Sequence, residues 1–137
     1  MPSEFVKEVA DVFAKDGPLS KVTANYTPRP SQIEFATSVA EALEKGKTLV
    51  AEAGTGTGKT FAYLVPALLK DQKVLISTAG KTLQDQLFTK DIPALLKALG
   101  MGCRVALLKG RSNYICKQRL EHALQEDSYV AKSREEV

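Results

Sequence analysis

The sequence has only two cysteines, Cys103 and Cys116, and a single histidine, His122. Two cysteines exclude a disulfide framework and are typical of a protein in a reducing compartment. His122 has no partner at metal-ligand spacing, so we predict that it is a surface helix residue. Long apolar runs are also missing, because none approaches the ~20 residues that cross a bilayer. The first residues lack the apolar segment of a signal peptide, and we expect a cytoplasmic protein without membrane contact.

Length and charge set further limits. At 137 residues the chain is one small domain or a piece of a larger one. Its net charge of +3 permits contact with nucleic acid but is too small to argue for it alone. The sequence contains no repeats and no low-complexity tracts, so composition alone marks no internal boundary.

The most informative stretch is a glycine-rich loop between two apolar runs, residues 48–53 and 60–69. The loop consists of Ala53, Gly54, Thr55, Gly56, Thr57, Gly58, Lys59 and Thr60. Strand, glycine loop and helix in this order are the context that a phosphate-binding loop needs. The glycines let successive N–H groups point inward, and the start of the helix adds further free N–H groups. Lys59 then supplies a cation for the β- and γ-phosphates, and Thr60 a hydroxyl for Mg²⁺.

The loop departs from the commonest pattern at Ala53, where a glycine is usual. Alanine needs a negative φ, so the turn has to start there from an ordinary strand conformation. An alternative interpretation is a Gly/Thr-rich turn that only happens to precede a helix. The spacing, the Lys–Thr pair and the flanking runs favour the phosphate loop, and we predict that the chain binds a nucleoside triphosphate with Mg²⁺.

Helices and strands are expected to alternate along the chain. Apolar spacing predicts helices over 3–15, 31–45, 60–70, 81–90, 93–100 and 112–125. Ser3 is the predicted N-cap of the first helix, Ser31 and Glu34 form a predicted capping box for the second, and Gly46 is predicted to end the second. Short apolar runs predict buried parallel strands over 48–53, 74–77 and 105–108. This alternation indicates an α/β fold with a parallel sheet flanked by helices. Three strands would leave a bare sheet edge, so we expect the first part of a larger domain.

Two further places could carry chemistry, one at the start of the helix that leads into the first strand and one after the second strand. Gln32, close to Arg29, could offer an amide donor and acceptor to the edge of adenine. A surface glutamine on the first helical turn is an equal alternative. The turn after the strand could hold the phosphates of a nucleic-acid backbone. Its candidate residues are Ser77, Thr78, Lys81 and Thr82. The alternative is a capped loop with a solvated lysine.

A third place follows the third strand. Lys109 and Arg111 supply charge there, and Tyr114 supplies a ring, a mixture that suits single-stranded nucleic acid. The same mixture also occurs in ordinary strand-to-helix turns. Taken alone, Cys116 and Cys103 are predicted to be core residues.

Together these motifs resemble those of one family. They follow one another along the chain in a familiar order and spacing: Arg29 and Gln32, the loop 53–60, the segments 76–78 and 83–87, and the segment 109–116. The order resembles that of the iron–sulfur superfamily 2 DNA helicases, the XPD-like group, and most closely that of the bacterial DinG/YoaA branch. The resemblance runs from about Asp16 to Leu120.

The resemblance implies a role for each motif. Gln32, with its neighbour Arg29, would read adenine, and residues 53–60 would be helicase motif I. Residues 77–84, which include Gln84, would be motif Ia and contact the single-stranded DNA along which the motor moves. Cys116 would be the first of four cysteine ligands of a [4Fe–4S] cluster. Replication or repair proteins would be possible partners of the intact helicase.

The chain also departs from the family pattern. The sequence lacks the family's Asp-Glu-Ala-His motif and the other three cluster cysteines. It also lacks the second motor domain, which supplies the arginine finger. A finger alone is worth about 10³–10⁵ in rate, so we expect this chain by itself to be inactive in hydrolysis. We also expect no iron–sulfur cluster in it.

The sequence thus predicts three parts. Residues 1–30 form an N-terminal helix and connector, 31–110 the first part of a RecA-like motor domain, and 111–137 the truncated start of the iron–sulfur insertion. The expected function is ATP binding in the N-terminal portion of an ATP-dependent 5′-to-3′ DNA helicase of repair or replication. The alternatives are another P-loop NTPase such as a small kinase or a nuclease–helicase fusion, a stand-alone nucleotide- or nucleic-acid-binding module without catalysis, and an inactive truncation.

Overall fold

The computed structural model describes residues 1–56 and 58–135, with side chains up to Glu126 in the last helix. The α-helices of this part are α1 (Glu4–Val12), α2 (Pro30–Lys45), α3 (Lys59–Leu69), α4 (Lys81–Gln86), α5 (Ile92–Leu99) and α6 (Lys117–Glu135). Two 3-10 turns, Pro18–Lys21 and Arg111–Asn113, and a π-helical turn, Leu87–Asp91, complete the regular structure. The chain divides into two compact units, residues 1–105 with α1–α5 and residues 106–137 with α6.

Local signals set the ends of the first two helices. The Ser3 hydroxyl accepts the N–H three residues further on at 3.1 Å, so the predicted cap of α1 is confirmed. Helix α2 begins at Pro30, because the fixed φ of proline suits the first helical turn and its missing N–H costs nothing there. The predicted capping box of Ser31 and Glu34 is therefore wrong, since both residues already lie inside the helix. Gly46 ends α2 in the left-handed conformation with φ 59°.

The core of the first unit is formed mainly by helices. Helix α2 packs against both α1 and α3, and its buried residues Gln32, Ala36 and Ala40 recur every four positions along one face. The two alanines have no exposed surface, and their small side chains allow neighbouring helices to approach closely. The buried apolar cluster consists of Val6, Val9, Val12, Phe13, Leu19, Ala36, Ala40, Ala62, Leu64, Val65, Leu87, Ile92 and Leu95.

The predicted strands are not formed in the described residues, so the α/β architecture with a parallel sheet is not confirmed. The segments 48–53, 74–77 and 105–108 carry no regular secondary structure. Most of their apolar side chains are exposed, with Val50 93%, Leu75 94% and Leu108 82% accessible, whereas Ile76 is half-buried and packs against the helical core. The physical reason is that a strand needs a neighbouring strand for its backbone hydrogen bonds and a cover for its apolar face. The helices here bury their apolar faces against one another, so in the described residues these segments have no strand partner and, apart from Ile76, little cover.

The later helices differ from expectation in their limits. Helices α4 and α5 were predicted as separate elements, but the π-helical turn joins them into one helical run over 81–99. Pro93 lies in the first turn of α5, and the wider π turn before it gives the proline ring room against the preceding carbonyl groups. Helix α6 starts at Lys117 and continues to Glu135, past the predicted end near 125, because no glycine or proline interrupts it. Among the described residues no helix has the length and apolar content needed to cross a membrane.

One pair of leucine substitutions tests this arrangement. Leu95→Ala should lower the free energy of unfolding by about 2–5 kcal/mol, because Leu95 is fully buried in α5. Leu75→Ala should change it by less than about 0.5 kcal/mol, because Leu75 is 94% exposed. Urea unfolding followed by circular dichroism measures both. An equal loss for the two variants would show that segment 74–77 is buried in solution, against the arrangement described here.

Candidate nucleotide-binding loop

The glycine-rich loop leads directly into α3. Gly58 is the N-cap of that helix with φ 78°, and Gly56 has φ 75°, so both positions need the freedom of glycine. Lys59 and Thr60 are the first two helical residues, where backbone N–H groups have no partner inside the helix. The loop and the helix start therefore have the backbone form that an anion site requires. Thr57, one of the predicted loop residues, lies outside the described residues.

The predicted lysine lies across the loop rather than in solvent. The Nζ of Lys59 donates a hydrogen bond of 2.5 Å to the carbonyl oxygen of Ala53, six residues earlier. The Lys59 side chain thereby links the two ends of the loop. Ala53 and Lys59 are both half-buried. A phosphate oxygen carries more negative charge than a carbonyl oxygen, so it can displace this internal acceptor. The ammonium group already lies within the loop, where such an anion would be held.

Arg29 and Gln32 both donate to carbonyl groups of this loop. The Nη1 of Arg29 donates to the carbonyl oxygen of Gly56, and the Nε2 of Gln32 donates to that of Gly58 at 2.9 Å. Gln32 is only 7% exposed and is the buried polar residue of the described core. The structure thus brings two residues predicted from sequence to the predicted loop. Their contact is with the loop backbone, which sequence reasoning did not anticipate.

Tyr63 is a neighbour of the loop that sequence reasoning missed. It lies one helical turn after Thr60. Burial raises the pKa of Tyr63 above its ordinary value, a hydrogen bond with Thr60 lowers it, and the Asp91 carboxylate raises it further. The Tyr63 phenol thus forms a hydrogen bond with the side chain of Thr60, the predicted Mg²⁺ ligand. In the sequence, the only sign of this contact was that Tyr63 follows Thr60 by three residues, the spacing of neighbours on one helix face.

The predicted nucleic-acid residues near the second segment lie around the start of α4. Lys81 and Thr82 are exposed in its first turn. Ser77 is exposed, and Thr78 donates from its hydroxyl to the carbonyl oxygen of Gly80 at 3.1 Å. Gln84 is half-buried further along the same helix. Apart from Gln84, these side chains present a cation and hydroxyl groups at or near the surface, as contacts with the phosphate backbone of a nucleic acid would need.

The second unit carries its own cationic groove of about 840 Å³. The residues that line it are Arg111, Ser112, Tyr114, Ile115, Cys116, Arg119 and Leu120. The Tyr114 hydroxyl accepts the backbone N–H of Lys109 at 2.9 Å, which holds the ring against the preceding turn. Arg119 adds a second guanidinium beside Arg111, and sequence reasoning missed it because it lies outside the predicted motif.

Both cysteines are free and exposed, so the predictions that Cys103 and Cys116 are core residues are wrong. Cys103 follows a turn instead of entering a sheet, which removes the cover that was expected for it. No group of three or more His, Cys, Asp or Glu side chains in the described residues is placed to hold a metal ion. A [4Fe–4S] cluster takes four thiolates, and the two cysteines of the chain do not provide that donor set.

Comparison with known proteins places the chain in a family. Residues 33–132 match the family model described as DEAD/DEAH box helicase. The chain therefore belongs to the DEAD/DEAH box helicase family, and this membership implies a RecA-like P-loop domain. The resemblance to the DinG/YoaA branch is confirmed by strong matches to proteins of both names.

Three of these relatives define the range of similarity. The chain is 56% identical over 113 residues to ATP-dependent DNA helicase YoaA of Escherichia coli (strain K12), which covers 82% of the chain and 18% of that protein. It is 48% identical over 121 residues to the YoaA helicase of Haemophilus influenzae, and this match covers 88% of the chain and 19% of that protein. It is 37% identical over 119 residues to the 3'-5' exonuclease DinG of Bacillus subtilis (strain 168), and this match covers 82% of the chain and 13% of that protein. The chain thus spans less than a fifth of these relatives. No solved structure gives a significant match.

Two glycines of the loop provide a matched test of its geometry. Gly56→Ala should lower the free energy of unfolding by about 1–2 kcal/mol, because alanine is strained at φ 75°. Gly54→Ala should have little effect, since Gly54 has no positive φ and a Cβ there meets nothing within 4 Å. Chemical denaturation of the nucleotide-free chain measures both. Equal effects would contradict the left-handed turn at Gly56.

Proposed function

We propose that this chain is the ATP-binding N-terminal portion of an ATP-dependent DNA helicase. The observation that carries the proposal is the loop before α3, with two left-handed glycines, Lys59 inside it and a helix start whose N–H groups have no partners within the helix. Family membership supports it, and so do relatives that are named ATP-dependent DNA helicases. The 5′-to-3′ direction and a place in repair or replication follow from the resemblance alone.

Each loop residue has a role in this proposal. The N–H groups of the loop and of the first turn of α3 would hold the phosphate oxygens. Lys59 would exchange the Ala53 carbonyl for the β- and γ-phosphates, and Thr60 would direct its hydroxyl to Mg²⁺. When bound, the nucleotide supplies the phosphoanhydride bond whose hydrolysis drives a motor. Arg29 and Gln32 would keep the loop carbonyl groups turned away from the phosphates.

Hydrolysis by this chain alone should be very slow. The sequence contains no Asp-Glu-Ala-His motif to orient the attacking water, and an arginine finger alone is worth about 10³–10⁵ in rate. A [4Fe–4S] cluster belongs to the proposal only for a longer protein, in which Cys116 would supply one of four thiolates. Replication or repair proteins are proposed partners of that longer protein, in the cytoplasm.

Lys59→Ala tests nucleotide binding. The variant should weaken binding of a fluorescent MgATP analogue by at least about tenfold, because a charge-assisted hydrogen bond contributes about 1.5–3 kcal/mol. Lys73→Ala, which removes an exposed lysine outside the loop, is the matched control and should bind like the unchanged chain. Affinity retained in Lys59→Ala would remove Lys59 from its role. Absence of binding in the unchanged chain would remove the proposed function.

A second test concerns single-stranded DNA. Lys81→Ala and Arg111→Ala should each flatten the plot of log affinity against log salt concentration by about 0.7, the contribution of one phosphate contact on a single strand. Fluorescence anisotropy with a labelled oligothymidine measures the slope, and Lys73→Ala again serves as the control. An unchanged slope in either variant would remove that residue from the proposed DNA contact.

The same experiment separates the helicase proposal from a stand-alone binding module. A motor segment should bind the oligonucleotide with an affinity that depends on MgATP, because the two sites bias one another. A module without catalysis would bind it equally well with and without the nucleotide. A nuclease–helicase fusion is the other candidate, since one relative is named a 3'-5' exonuclease. The higher identity to proteins named helicases favours the first proposal.

A further inference from the structure

A groove in the first unit lies at the other end of α3 from the phosphate loop. Its volume is about 610 Å³, and it is bounded by α1, the 3-10 turn that begins at Pro18 and the last residues of α3 and α5. Helix α3 runs for 11 residues from Lys59 to Leu69, so about 16 Å of helix separates the groove from the loop. An occupant of the groove and a nucleotide at the loop can therefore be bound at the same time.

One wall of the groove is the charged face of α1. Glu4, Lys7, Glu8 and Asp11 line it at the spacing of neighbours on one helix face. All four side chains are exposed, and in the described residues none of the three carboxylates forms an ion pair. Three carboxylates and one ammonium group give the wall a net charge of −2. The wall covers two turns of α1, about 10 Å, and favours a positively charged occupant.

The ends of two helices add to this negative potential. Leu69 and Leu99 are the last residues of α3 and α5, and the C-terminus of a helix carries a partial negative charge. Lys70 lies beside Leu69 but is engaged with Phe5, since its Nζ is 4.8 Å from the centroid of that ring. Lys7 is thus the one cation that lines the groove in the part of the chain that the structure describes.

The floor of the groove is apolar. Val12, Pro18, Leu69 and Leu99 line it. Val12 is buried, whereas the other three are half-buried and keep apolar surface in contact with water. Apolar surface with a polar rim is typical of a protein interaction site. An inorganic cation would satisfy the carboxylates but leave this floor wet, so the matching occupant carries apolar groups as well as positive charge.

We propose that this groove is a docking site for a basic amphipathic helix of a partner protein. Apolar side chains of that helix would cover Leu69 and Leu99, and its Lys or Arg side chains would lie against Glu8 and Asp11. Recognition of a helix in a groove uses apolar anchors one and two turns apart, which agrees with the two-turn length of the wall. The carboxylates would repel the phosphates of a nucleic acid. The inference goes beyond the proposed function and does not depend on it, because the groove shares no residue with the loop.

The probe for this site is a fluorescein-labelled synthetic helix of about 14 residues, or four turns. It has leucine on one face and lysine on the flanking positions. Fluorescence anisotropy should show saturable binding that weakens as the salt concentration rises, because the paired charges are exposed. One matched peptide has glutamate in place of lysine, and another has serine in place of leucine. Each should bind at least about tenfold more weakly, since each removes one half of the complementarity.

Variants of the groove locate the binding. Glu8→Gln and Asp11→Asn should each weaken binding of the leucine–lysine peptide by about two- to fivefold, because single exposed charge pairs contribute little. Both should also reduce its salt dependence. Leu99→Ala should weaken binding and leave the salt dependence unchanged, because it removes only apolar contact. Glu34→Gln, which removes an exposed carboxylate of α2 outside the groove, is the matched control. Thermal unfolding confirms that the variants fold.

Three outcomes would overturn the inference. Equal weakening in Glu34→Gln would show that the peptide responds only to the net charge of the chain. Unchanged affinity in both Glu8→Gln and Asp11→Asn would place the peptide elsewhere. Analytical ultracentrifugation of the chain alone provides the third, because a dimer that is lost in Glu8→Gln would assign the groove to a second copy. Binding of the MgATP analogue should be the same in all these variants, so a failure of the proposed function is measured separately.

Discussion

The structure depends on the close packing of α2 between α1 and α3. The buried face of α2 consists of Gln32, Ala36 and Ala40, which recur every four residues. The two alanines contribute little volume, so they serve to bring the neighbouring helix backbones close and bury larger side chains such as Leu64 and Val65. Gln32 ends the same face at the point where α3 begins. The packing that stabilises the helical core therefore also places the amide group of Gln32 against the phosphate loop.

Features governed by local chemistry could be predicted from the sequence. The cap at Ser3 and the left-handed glycine at Gly46 depend only on neighbouring residues, and both occur as expected. The loop itself was found because glycine spacing and the Lys–Thr pair restrict the backbone directly. The start of α2 was misplaced because Pro30 outweighs a capping box one residue later. In that case two local signals competed, and the one that fixes φ decided the boundary.

Features governed by distant contacts could not be predicted in the same way. An apolar run such as 74–77 has strand propensity, but a strand exists only if another strand lies beside it. The sequence of one run does not contain that information, and Leu75 is 94% exposed in the structure. The contacts of Arg29 and Gln32 with Gly56 and Gly58 also join positions more than 25 residues apart. Sequence identified these residues as relevant to the site but gave no indication that they contact the loop backbone.

These two outcomes have one physical consequence for the candidate site. A phosphate loop has two flanks, the segment before it and the helix after it, and either can hold it in shape. Here the preceding segment contributes little, since Val50 is 93% exposed and the described residues around it form no ladder. The helical side supplies the restraint instead, through α3 and through the donors at the start of α2. The side chains of Arg29 and Gln32 thus maintain the shape of the loop by donating to its carbonyl oxygens. The capacity of the loop to hold an anion follows from the direction in which these carbonyl groups point.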